Sequence, residues 1–341
     1  MVNVLEPGSL QLSVLDQSFV RPGDGAQVAL AETLEVAQLC ENLGYLRFWV
    51  SEHHNTSLLA GSSPEVLLAA IGAATHHIRI GSGGIMLPHY SAYKVAENFS
   101  LLANLYPGRV DLGVGRAPGA DMATAVALAT DGRPKFERFP QLVEELGHYL
   151  WSDSAKPKVC PPPPRDLPIW MLGSSPDSAW LAGELGLPYT VALFINPLAG
   201  PDMIAGYRRQ FKPSALWPRS HAMVAITVLC ADTEAEALAL EKAADVNYLA
   251  FVTRGPHIDY VDPAAAAAHQ FTHQELAFLA RNEGSRAVGT PEQVREKIEY
   301  LAAKHDADEV MIVSNSYYLE DRIRSFSLVA EAFALPKRAA A

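Results

Sequence analysis

Four short stretches of this 341-residue chain bring together residue types that could do chemistry. The first, SEHHN at 51–55, sets Glu52, His53 and His54 in a row. A carboxylate and two imidazoles can ligate a metal, but neighbouring side chains on an extended segment point opposite ways and seldom share one ion. His89 follows the third predicted strand, whereas the fourth, fifth, seventh and eighth end without a histidine. A metal-dependent hydrolase is therefore the weaker reading, and no metal is expected. The second stretch is GSGG at 81–84. Glycines weaken a strand, so their presence marks either a backbone that approaches a flat group closely, or a bulge or tight packing. The third, GVGRAPG at 113–119, carries Arg116, whose planar fork suits a phosphate or a carboxylate, although a lone arginine is commonly a surface residue. The fourth, LGSSPDSA at 172–179, places Gly173, Ser174 and Ser175 before a proline-opened helix. Free N–H groups and two hydroxyls at a helix N-terminus form a phosphate seat, and an ordinary helix cap uses the same residues. Taken together, the third and fourth stretches predict a phosphate held between Arg116 and a helix N-terminus. No GxxxxGK[ST] motif occurs, and the glycines lack the strand–turn–helix context of a dinucleotide fingerprint.

What must bring these stretches together is a set of strands that end side by side. Short apolar runs at 12–17, 47–52, 78–87, 107–117, 168–175, 188–196, 222–231 and 309–315 read as strands. Helical spacing fills 28–43, 91–105, 176–185, 202–211, 233–247 and 319–333, with Ser63-Pro64 and Thr290-Pro291 opening two more helices. Eight strands alternating with helices imply a parallel sheet, and eight is the number that closes a (β/α)₈ TIM barrel; a doubly wound open sheet is the alternative. The expected organisation is one α/β barrel domain over 1–341. Each of the four stretches then falls at the C-terminal end of a strand, where barrel active sites lie. A segment at 249–286, between the seventh and eighth strands, is too long for a bare connection. It reads either as a peripheral helical decoration or as a lid over the mouth. The run CPPPPR at 160–165 reads as an extended connector.

Composition removes other classes. The net charge is −11 and no basic run is longer than Lys337-Arg338, so no nucleic-acid partner is expected. Hydrophobic residues at 49% against 19% charged supply a large core. Cys40, Cys160 and Cys230 are too scattered for a disulfide framework or a zinc cluster. With no leader-like start and no apolar run long enough to span a bilayer, a cytoplasmic protein without membrane contact is expected.

In their order, SEHHN, GSGGIMLPHYSAYKVAENFSLLANLYPGRVDLGVGRAPG and LGSSPDSAWLAGELGLP resemble the bacterial-luciferase-like flavin-dependent monooxygenases, in particular the alkanal-monooxygenase-like branch. The resemblance implies a barrel that uses reduced FMN and oxygen, through a C4a-(hydro)peroxyflavin, to oxygenate a small organic substrate. It implies that the flavin ring lies near Ser82 against a cis peptide between Gly83 and Gly84. The phosphate would be met by Arg116, Gly173, Ser174 and Ser175. His53, preceded by Glu52, matches the family's acid/base histidine, and a neutral imidazole suits proton transfer at such a site. It further implies a homodimer, with helices two and three as its face, and a supply of reduced flavin from a separate flavin reductase or directly from NAD(P)H. The long segment at 249–286 falls where the family carries a mobile loop. Gly115 replaces a reactive cysteine of luciferase, which puts light emission in doubt but leaves flavin binding untouched. Two other readings compete: a deazaflavin-dependent oxidoreductase working by hydride transfer, and a non-catalytic flavin-binding protein. Phe19, Phe48, Tyr90 and Phe194 are candidates for the pocket lining and equally for the core.

Overall fold

Strand and helix alternate because apolar period-two runs are repeatedly cut by caps and turn residues. The computed structural model describes residues 10–117, 119–129 and 131–337. Pro118 of GVGRAPG and Arg338 of the terminal basic pair lie outside them. The first half runs β1 (Gln11–Asp16), α1 (Ala26–Leu43), β2 (Arg47–Val50), α2 (Pro64–Ala74), β3 (Arg79–Met86), α3 (Ala92–Leu105) and β4 (Val110–Gly115). Next come α4 (Met122–Leu128), α5 (Phe139–Trp151), β5 (Ile169–Gly173), α6 (Pro176–Glu184), β6 (Tyr189–Ala192), α7 (Asp202–Gln210) and β7 (Ala222–Cys230). The chain continues through α8 (Glu234–Arg254), α9 (Pro263–Ala267), α10 (His273–Leu279), β8 (Arg286–Gly289), α11 (Pro291–His305), β9 (Glu309–Val313) and α12 (Leu319–Ala332).

Local chemistry explains the boundaries. Gly44 ends α1 in the left-handed region, φ 89°, where glycine avoids the Cβ clash. Thr233 with Glu236 and Thr290 with Gln293 form capping boxes that start α8 and α11.

All strand pairings within the sheet are parallel, and β1 to β7 with β9 close into a barrel of eight through the β6–β7 and β1–β9 pairs. The structure is thus the (β/α)₈ barrel. The ninth strand, β8, was not expected from the pattern. It pairs with Thr227–Cys230 at the far end of β7, where Thr227 already faces Val313 of β9 on its other edge. β8 therefore prolongs the wall past the end of β6. Helix α8 runs on into the 249–286 segment, which then holds α9, α10 and a 3₁₀ turn. Two further helices, α4 and α5, occupy a stretch to which the sequence reading assigns none.

Alternate residues face two cores. Val14, Phe48, Ile80, Leu112, Ile169, Val224 and Ile312 pack outward against the helices. Leu15, Trp49, Trp170, Met223, Met311 and Val313 form a second cluster inside the barrel, since Trp49 on β2 meets Trp170 on the non-adjacent β5. Phe48 accordingly belongs to the outer core and lines no pocket. Phe194 packs on the inner cluster, while Phe19 stacks near Tyr260.

Candidate active site at the barrel mouth

The site begins at the end of β2, where the extended chain sends successive side chains opposite ways. Glu52 is 1% exposed, and yet among the described residues its carboxylate has no hydrogen bond or ion pair with an arginine or lysine. It accepts from the Met86 N–H at 2.9 Å and the Tyr90 hydroxyl at 2.7 Å, and bonds His54 Nε2 at 2.8 Å. Glu52 thereby ties the end of β2 to the segment that leaves β3. His53 points elsewhere: its Nδ1 lies 3.0 Å from the Ser51 hydroxyl, and its backbone N–H donates to Gly61. Burial pushes the His53 pKa down to about 4, against the opposing pull of the Glu52 charge, so the ring is neutral at ordinary pH. The two histidines diverge as extended geometry requires. Among the described residues, no group of three or more His, Cys, Asp and Glu side chains is placed to hold a metal ion.

At the end of β3 the Gly83–Gly84 peptide is cis, and the pairing with β4 shifts register between Ser82 and Ile85. The shift is held by Ser82, whose buried hydroxyl donates to the Gly113 carbonyl at 2.8 Å and accepts the Gly113 N–H at 3.0 Å. The hydroxyl is thus spent on β4. The glycines have a packing reason. A Cβ on Gly81 would come within 2.6 Å of Trp49 Nε1, and one on Gly83 within 2.7 Å of Leu15 Cδ1. One on Gly84 would meet Leu172 Cδ1 at 2.4 Å. Of the two explanations open for GSGG, tight packing and a register irregularity are present, and the close approach is to side chains of the barrel interior.

β4 and β5 end together. Two residues past the paired Val114 and Met171, the chains reach Arg116 and Gly173. Arg116 is exposed, and among the described residues its guanidinium has no hydrogen bond or ion pair. Ser175 is the N-cap of α6 without a side-chain cap bond, so its hydroxyl and the first helical N–H groups stay available. Asn196, beyond β6, donates to the Ser174 carbonyl at 2.9 Å, and Ser178 donates to the Ser175 carbonyl at 2.7 Å. Gly173 is required here, because a Cβ would fall 2.2 Å from Ser178 Oγ. One guanidinium, two hydroxyls and a helix N-terminus form a donor set for a phosphate monoester.

The chain matches the luciferase-like monooxygenase family model over residues 10–306. It belongs to the luciferase-like monooxygenase family. Over 335 residues it is 44% identical to the uncharacterized protein YwcH of Bacillus subtilis, covering 95% of this chain and 99% of that one. The N-acetyl-S-alkylcysteine monooxygenase of the same organism is 35% identical over 338 residues, 96% of this chain and all of the other. Among solved structures, apo-MsnO8 superposes with a TM-score of 0.91 at 36% identity, covering 96% of this chain and 100% of its own.

In this luciferase-like monooxygenase, Glu52, His53, Ser82, Gly83, Gly84, Arg116, Gly173, Ser174 and Ser175 all stand at the ends of the neighbouring strands β2 to β5. Sequence reasoning missed the partners that fix them: His54 and the Met86 amide on Glu52, and Asn196 and Ser178 at the turn after β5. Tyr90, considered only as a possible liner, is a hydrogen-bond partner of Glu52. Its phenol pKa is raised by burial and by the Glu52 charge, so the hydroxyl stays a donor.

Proposed function

We propose that this chain is a flavin-dependent monooxygenase that uses reduced FMN and molecular oxygen to oxygenate a small organic substrate. The observation that carries the reading is Arg116, a cation with no hydrogen bond or ion pair among the described residues, on the strand next to the one that leads into Ser174, Ser175 and the N-terminus of α6. That donor set fits a phosphate monoester, and these residues with Gly173 would hold it. When bound, reduced FMN would supply the electrons that activate oxygen.

The residues of the chain supply position and proton control. Ser82, Gly83 and Gly84 form the wall beside which the ring is assigned. Glu52 fixes that wall through the Met86 amide. His53, neutral and oriented by Ser51, takes up or delivers one proton through the ring nitrogen not engaged by that serine. Thr56 and Ser57 donate to the Pro256 carbonyl at 3.1 and 3.4 Å, which pins the 249–286 segment to the loop after β2 as a lid that excludes water. Exposed Val66 on α2 with Leu101 and Leu105 on α3 is the face assigned to a homodimer. A reductase or NAD(P)H would deliver the reducing equivalents.

One relative is by its name an N-acetyl-S-alkylcysteine monooxygenase, so small thioethers head the substrate panel. The test is turnover under isotopically labelled oxygen with enzymatically reduced FMN. Label in an oxygenated product is the expected result. Flavin retention with no labelled product from any substrate, and hydride transfer from a reduced deazaflavin instead, would replace this reading.

A further inference from the structure

Three of the five tryptophans stand in one file through the barrel interior. At the mouth, a Cβ on Gly83 would lie 3.3 Å from Trp49 Cε3. Trp49 meets Trp170 edge-to-face with ring centroids 5.2 Å apart, and Trp170 meets Trp217 in the same way at 5.5 Å. Trp49 and Trp170 are fully buried, whereas Trp217, between α7 and β7 at the opposite end, is half-buried. The file therefore runs from the cis Gly83–Gly84 peptide to the water at the barrel floor.

The Arg47 cation and the neighbouring rings account for an aromatic face at the middle position, but not for its N–H group. Trp170 Nε1 is buried without a hydrogen-bond partner, a cost that a phenylalanine would not incur. The same feature has an electronic consequence. Indole is among the most easily oxidised side chains, and the positive hole left by losing an electron is trapped where the Nε1 proton can depart. Trp170 has no acceptor for that proton. Trp49 Nε1 donates to Asp111 at 3.1 Å, but Asp111 is a poor base: burial raises its pKa, and Arg79 and Arg47 more than reverse this. The Arg47 guanidinium lies 4.6 Å from the centre of the Trp170 ring and opposes positive charge there. The buried carboxylates of Asp111 and Glu309, both paired with Arg47, offset that opposition.

We propose that Trp49, Trp170 and Trp217 form a relay that carries one-electron oxidising equivalents from the mouth to the floor of the barrel. The inference rests on the proposed flavin site. An oxidant at the mouth, such as photoexcited oxidised flavin, takes one electron from Trp49. Trp49 is refilled from Trp170, and Trp170 from Trp217. The flavin then carries the electron and Trp217 lacks it, its indole proton passing to water. A soluble reductant, a thiol or ascorbate, returns the electron and water returns the proton.

The test is transient absorption after a blue flash on the FMN-loaded protein, comparing the natural chain with Trp170→Phe and Trp217→Phe. Flavin affinity and circular dichroism establish that each variant folds and binds. The natural chain should show a long-lived tryptophan radical that ascorbate removes. Trp170→Phe should lose it, with early recombination at Trp49. Trp217→Phe, altered at a half-buried position, should lose the ascorbate-sensitive phase. Equal long-lived signals in all three proteins, or no tryptophan radical with FMN bound, would overturn the relay alone. Failure to retain FMN would overturn both the relay and the flavin site.

Discussion

The buried carboxylates at the barrel floor and the Glu52 carboxylate at the end of β2 are stabilised in opposite ways. At the floor, Arg47 reaches Glu309 and Asp111, both at 2.9 Å, while Arg79 shares Asp111 and His221 Nε2 lies 3.1 Å from Glu309. Burial pushes the Glu309 pKa up, but Arg47 and His221 outweigh it and bring it down to about 2. At the mouth, Glu52 is as buried but is met by an amide, a phenol and an imidazole. Arg116, the arginine proposed for the site there, has no hydrogen bond or ion pair among the described residues. Arginine thus neutralises the carboxylates at the floor, whereas among the described residues no arginine or lysine meets Glu52. This matches the division of barrel folds into a stability face and a catalytic face.

The sharpest way to break that contrast is to remove a floor cation. Arg47→Met takes away the cation shared by two buried carboxylates, leaving Arg79 on Asp111 and His221 on Glu309, and should cost about 3 kcal/mol, read from denaturant midpoints. Glu52→Gln can keep its carbonyl oxygen on the Met86 N–H and turn its amide N–H groups toward the Tyr90 hydroxyl oxygen and His54 Nε2, and should cost only about 1 kcal/mol. Equal losses would erase the distinction between the ends. Next, His53→Ala should lower turnover by about 10²- to 10⁴-fold with little change in melting temperature, as expected of a proton-transfer group. Unchanged turnover would remove His53 from the chemistry.

Acid should separate the ends as well. For His53, the folded pKa of about 4 lies below the ordinary 6.5, so between these values the unfolded chain holds a proton that the native one lacks. Its contribution is complete above pH 6.5 and fades as the pH falls to about 4. For Glu309, with about 2 against an ordinary 4.5, the loss comes only as the pH falls through that lower window. His53→Asn should therefore flatten the stability slope in the upper window and leave the lower one intact. A slope unaltered by that change would contradict the burial of a neutral imidazole.

How much of this was legible in the sequence follows the range of the interactions. The barrel strands and most helices are local patterns, and 47–52 or 222–231 carries its own signal. Helix α5 was legible in principle, since its buried Phe139, Leu142, Val143, Leu146 and Leu150 follow helical spacing, but it lies in a stretch to which no element was assigned. Strand β8 has four residues, and its place depends on the far end of β7. The nine site residues were nameable from motifs at strand ends. Their support was not: Tyr90 reaches Glu52 across 38 positions, and Arg47 reaches Glu309 across 262. No local spacing encodes such pairs. The glycines of GSGG show the same limit from the other side, because what a Cβ would strike is Trp49, Leu15 or Leu172, each on another strand.

The most direct test of the open cation at the mouth is to compare the affinities of FMN and riboflavin, which differ by the phosphate, for the natural chain and for Arg116→Ala. The account predicts that the natural chain prefers FMN by about tenfold or more, roughly 1.4 kcal/mol, and that Arg116→Ala removes most of the preference while leaving riboflavin affinity unchanged. Equal affinity of the natural chain for the two flavins, or a preference that survives the substitution, would contradict it.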